Sequence, residues 1–125
     1  MPHVVFDKRL NLENFSKQFQ VFVLKEPYLI KLMNVFLDRE KRTALIPTVV
    51  IDKIHQQFLI ELSTRKGKTT IRLYPGTDPE KTDGVKMALG LVAKMIQKSN
   101  SDYQITKTNI DEFLFKKEEN LINIS

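Results

Sequence analysis

Cysteine is absent, only two histidines occur, and four glycines are scattered along 125 residues. Without cysteine the chain has no disulfide scaffold, iron–sulfur cluster, thiolate zinc site or thiol nucleophile. His3 and His55 stand far apart with no HxxxH-type spacing, so they offer neither a metal site nor an acid–base pair. A phosphate cradle needs clustered glycines so that backbone amides approach the ligand; Gly67, Gly76, Gly84 and Gly90 are dispersed. No G-x-S-x-G, P-loop or dinucleotide fingerprint is present. Asp7, Asp52 and Glu61 lie on or near strands without the spacing of a general acid–base pair. The expectation is a protein that is not an enzyme and carries no cofactor and no metal.

Long apolar runs are also missing. None exceeds four residues, against about 20 for a bilayer span. Met1 to Lys8 has no basic leader followed by an apolar stretch, which argues against a secretory signal. These readings point to a cytoplasmic protein without membrane contact.

What is plentiful is positive charge. The formal net charge is +5 and the isoelectric point near 9.5. Residues 64–98 carry Arg65, Lys66, Lys68, Arg72, Lys81, Lys86, Lys94 and Lys98 against Asp78, Glu80 and Asp83, which accounts for the whole excess. A basic domain is drawn to polyanions, although the same charge also serves solubility.

Periodicity organises the rest. Residues 3–10 read as a strand with Val4, Phe6 and Leu10 on one face. Asn11 and Glu13 suit a helix start. Leu12, Phe15, Phe19, Phe22 and Val23 then recur at helical spacing until Glu26-Pro27 ends the helix. Strands are expected at 29–37, 43–51, 57–62 and 69–74, joined by short polar connections as in an antiparallel meander. In the first, Met33, Val35 and Leu37 would share one face and Ile30, Leu32 and Phe36 the other. Pro47 marks an edge or a bulge. Thr77 with Glu80, proline at 79, or Asp83 would begin a second helix. Val85, Ala88, Leu89, Val92, Met95 and Ile96 face inward from it. A short strand at 103–105 and a short helix bearing Ile110, Phe113 and Leu114 follow, with fraying from Glu118 onward.

The fold class is therefore α+β: an antiparallel sheet in β-α-β-β-β-β-α order with two amphipathic helices on one face. Residues 1–101 form one domain, and 102–125 an appendage packed on it. Leu10-Asn11-Leu12-Glu13, Thr43-Ala44-Leu45-Ile46 and Leu91-Val92-Ala93-Lys94-Met95-Ile96, set in this order of elements, resemble each half of a TATA-binding protein. The likeness is one of architecture; one unit is present rather than a tandem pair, and no family is assigned from it.

Two features bear on function. Turns of a meander alternate between the sheet's ends, so the turns at 38–42 and 63–68 should share one end about 10 Å apart. That gathers Arg39, Lys41, Arg42, Arg65, Lys66 and Lys68 on a rim, diluted by Asp38 and Glu40. Arg72 and Tyr74, on one face of their strand, add a cation and an aromatic for phosphates or unstacked bases. Secondly, helices cover only one face, and the strands at 29–37 and 43–51 are apolar on both. Residues 103–115, a second copy or another partner would cover the other. The leading expectation is a non-enzymatic nucleic-acid-binding module. The alternatives are a homodimer formed through the apolar sheet face, or a small apolar-ligand carrier.

Overall fold

In the computed structural model, residues 1–114 are described. They form mostly antiparallel sheet, curled as a half-barrel, with two helices. The chain runs through β1 (His3–Phe6), α1 (Leu12–Gln18), β2 (Phe22–Leu24), β3 (Leu29–Leu32) and β4 (Phe36–Leu37). It continues with β5 (Thr43–Ile51), β6 (His55–Arg65), β7 (Lys68–Leu73), α2 (Asp83–Ser99), β8 (Ile105–Thr108) and a 3-10 turn (Asp111–Phe113). The order across the sheet is β2-β3-β5-β6-β7-β1-β8, with β4 also paired to β5. The expected meander is its centre.

One face of this sheet is the core. Val4, Phe6, Ile30, Leu32, Ala44, Ile46, Val50, Ile60, Leu62 and Ile71 are fully buried. They meet Val85, Ala88, Leu89, Val92 and Ile96 of α2, the stripe that helical periodicity picks out. α2 packs against β1, β3, β5 and β7 and against the 3-10 turn. Among the described residues no helix is long and apolar enough to cross a membrane.

Three differences from the sequence reading shape the two faces of the sheet. The first helix stops at Gln18, with Phe19 already extended. Residues 22–24 instead pair with β3 as Phe22–Leu32, Val23–Lys31 and Leu24–Ile30, ahead of a cis Glu26-Pro27 bond. In Val21-Phe22-Val23-Leu24, exposure alternates residue by residue. The strand period and two β-branched residues beside a ready partner override the helical spacing.

The second difference is the break between β3 and β4. Leu32 stands opposite Thr48, and Phe36 opposite Leu45: the chain advances four residues against three. This is a one-residue bulge, and it reverses which side chains point inward. Phe36 is therefore not on the face of Ile30 and Leu32. It turns outward, 56% exposed, while Leu37 packs against the core. Pro47 explains the position: its carbonyl accepts from Met33 N at 3.0 Å, so its missing N–H also faces the bulged strand.

Thirdly, residues 103–114 leave the outer sheet face open. β8 adds to β1 as an edge strand. Ile110, Phe113 and Leu114 join the core cluster, with the Phe113 carbonyl against Gly90 of α2. The fraying expected from Glu118 onward concerns residues outside those described.

The start of α2 is fixed from two sides. Thr82, rather than Thr77 or Asp83, is the cap, its hydroxyl accepting from Val85 N at 3.3 Å. Asp52, in the β5–β6 turn, accepts from Lys53 N, Ile54 N and Gly84 N. A Cβ on Gly84 would sit 2.6 Å from both Asp52 Oδ2 and Val50 Cγ1, so this approach requires glycine. Burial pushes the Asp52 carboxyl up. The hydrogen bonds from Thr82 and from the amides of Ile54, Lys53 and Gly84 outweigh it and hold the carboxyl below its usual range. A depressed folded-state pKa stabilises above the unfolded value and is lost as pH falls through the folded one. Asp52→Asn is therefore expected to lower stability by about 1–2 kcal/mol at neutral pH. In urea melts against pH, its deficit relative to the parent should shrink below about pH 4. An unchanged deficit at acid pH would contradict the assignment.

Candidate nucleic-acid interface

The β4–β5 turn at 38–42 and the β6–β7 hairpin lie at one end of the sheet. Arg42 O accepts from Thr64 N at 2.9 Å and from its hydroxyl at 3.2 Å, which ties one tip to the root of the other. The expected connection at 63–68 is shorter than it seemed: Arg65 pairs with Lys68, leaving Lys66-Gly67 as a two-residue turn. Both turn residues have positive φ, 53° at Lys66 and 75° at Gly67, as a right-twisted hairpin of this length demands. Lys41, at the other tip, also has positive φ, 60°. Lysine in this region costs about 1–2 kcal/mol where glycine or asparagine would be at ease.

The six tip cations are all exposed. Lys41 alone is paired, to Glu13 of α1 at 3.1 Å. That hydrogen bond and charge, with Lys17 nearby, hold the Glu13 carboxyl below its ordinary range. Asp38, expected to dilute the rim, accepts from Arg42 N and Thr43 N. Arg39, Arg42, Arg65, Lys66 and Lys68 have no ionic partner among the described residues.

Arg72 and Tyr74 stand apart from the tips. Arg72 lies four positions beyond Lys68, about 13 Å along the strand. The Arg72 Nε donates to Glu61 Oε1 at 2.6 Å, with side chains 41% and 9% exposed. Its charge is thereby matched. Tyr74 lies farther along, beyond the end of β7, with its ring against Gly76. It shares the outward direction of Arg72 but not the rim.

Two residues that belong to this region escape a reading of the sequence. Arg9 appears there as strand, but β1 ends at Phe6. Thr69 holds the next segment, its hydroxyl donating to Lys8 O and accepting from Leu10 N, both at 2.8 Å. Arg9 thus lies beside the 38–42 tip, in a cleft of about 310 Å³ that it shares with Glu40 and Lys41. Phe36 escapes because of the bulge. Its pairing places it in one outward row across five strands: Phe36, Leu45, Glu61, Arg72 and His3.

Two substitutions test these local arguments. Lys66→Asn is expected to raise stability by about 1 kcal/mol, read as a higher urea midpoint with an unchanged slope. Arg72→Ala strands a buried carboxylate and should cost about 1–3 kcal/mol. Replacing Glu61 and Arg72 together, as Glu61→Gln with Arg72→Gln, should recover part of that loss.

In comparisons with known proteins, no protein-family model, no curated protein and no solved structure matches the chain.

Proposed function

We propose that the chain is a non-enzymatic module that binds nucleic acid through phosphate contacts at the hairpin-tip end of its sheet. The observation that carries this reading is the group Arg39, Arg42, Arg65, Lys66 and Lys68: exposed, without ionic partners among the described residues, on adjoining tips. Cations held this close repel one another, and a chain of phosphates relieves that repulsion while releasing counterions. Lysines fill two positive-φ turn positions that glycine or asparagine would occupy at less cost, which adds two cations to the tips. With α1 taken on the same sheet face as α2, the described residues leave the opposite face open beside the rim.

The test is the salt dependence of binding to a labelled oligonucleotide, followed by fluorescence anisotropy. Each phosphate contact contributes about 0.7–0.9 to the log–log slope. Arg65→Gln, Lys66→Gln and Lys68→Gln together should reduce the slope by about 2 and weaken binding, with folding intact because exposed tip charges contribute little. The charge-matched control, Lys25→Gln, Lys53→Gln and Lys98→Gln, removes exposed lysines elsewhere and should leave the slope near the parent's. Equal losses in both sets would reduce the effect to unspecific attraction. No binding at low salt would favour the second reading, a homodimer through the outer face. That reading is supported by the exposure of Val23, Phe36 and Ile51 there, and predicts a dimer in sedimentation.

A further inference from the structure

We infer that the bound nucleic acid is single-stranded and lies across the outer sheet face, with a base stacked on Phe36. The inference rests on the nucleic-acid reading above and specifies its ligand. It starts from the charges that the strands present outward. Lys31, Arg65, Lys68, Arg72 and Lys107 all take outward positions. The sole carboxylate in any strand of the described residues is Glu61, buried beneath Arg72. Asp7, just past β1, has its carboxylate on Gln104 N.

Relief on this face matches a strand of nucleotides. Arg65 and Lys68 form one outward row. Two residues inward comes a row of short side chains, Thr43, Ser63, Thr70 and Val5. Two further on comes the row of Phe36, Leu45, Glu61 and Arg72. At about 3.3 Å per residue the outer rows are about 13 Å apart, separated by a shallow trough. Phosphates would follow Arg65 and Lys68 while bases reach over the hydroxyl row towards Phe36. Arg72, with only its Nε committed to Glu61, offers its terminal amino groups at the other end of the row.

The choice of a single strand follows from Phe36. The residue is 56% exposed and lies outside the core cluster. Stacking requires a base whose face is free, which a duplex withholds. The tips themselves carry no aromatic residue, so phosphate contact there does not by itself discriminate.

Binding of about a dozen nucleotides is measured for one sequence as single-stranded DNA, as single-stranded RNA and as duplex. The proteins are the parent, Phe36→Ala, Phe36→Trp and the triple tip variant. Phe36→Ala is expected to weaken single-strand binding roughly 5- to 100-fold with the salt slope unchanged and duplex binding unaffected. Phe36→Trp should restore it. A loss confined to DNA or to RNA would support stacking and name the sugar that the trough accepts. If Phe36→Ala binds single strands like the parent while the tip variant loses affinity, the stacking inference fails and the phosphate reading survives. If the parent binds none of the three, both fall. A change in sedimentation of Phe36→Ala without a change in binding would make Phe36 a self-association contact and overturn the inference.

Discussion

A proline inside a central strand leaves a gap in a hydrogen-bond ladder, and here the gap decides what the protein shows to its surroundings. β5 pairs with β6 on one side and with β3 and β4 on the other. Pro47 directs its carbonyl, and hence its absent N–H, to the latter side. The neighbouring strand bulges at that point, and side-chain parity reverses beyond it. Without the reversal Phe36 would point to the inner face, where α1 packs against β4, and Leu37 would point to solvent. Among the described residues Phe36 is the one strongly exposed aromatic, and it faces outward because the ladder slips by one residue.

The two faces of the sheet consequently follow different rules. The inner face is governed by packing: Ala44, Ile46 and Val50 interleave with Leu62, Ile60 and α2 with no exposed area, where a lost methylene costs about 1 kcal/mol or more. The outer face is governed by electrostatics and access. Glu61 illustrates the difference. A carboxylate on an open face would ordinarily reach into solvent, yet this one is held down by Arg72 across β7. The pairing removes the only negative charge that the strands would otherwise present to a polyanion. The same pairing fixes the direction of the arginine. The tips carry a complementary tension, since positive φ at Lys41 and Lys66 is borne by lysines where glycine or asparagine would be at ease.

Legibility in the sequence tracks how local the deciding interaction is. α2 is readable because its apolar stripe repeats over four turns and the sheet agrees with it. The meander is readable because short polar connections leave antiparallel neighbours as the simplest outcome. Residues 22–24 are not, because Phe22 and Val23 satisfy helical and strand periods alike, and pairing with β3 decides. The cap of α2 is missed for a similar reason: three candidates lie within seven residues, and the choice depends on Asp52, thirty residues upstream. At the site, adjacency of the tips follows from topology alone. The neutralisation of Arg72 depends on strand register, and the outward turn of Phe36 on a bulge whose only trace in the sequence is Pro47. Arg9 is obscured by a strand that ends earlier than its apolar alternation suggests.

This division gives the functional readings unusual independence from stability. The rim residues and Phe36 are exposed, so their removal would act on the proposed binding while leaving the inner face intact. The exceptions are instructive. Arg72 belongs to both regimes, because losing it also strands Glu61, so its effect on binding cannot be separated from its effect on folding by one substitution. Lys41 is likewise coupled through Glu13 to α1. Arg65 and Lys68 are coupled to nothing but the hairpin they close. They and Phe36 bracket the trough from opposite sides, one through charge and the other through a flat apolar surface. Salt weakens the first and leaves the second almost untouched, so ionic strength alone separates the two contributions in a single protein.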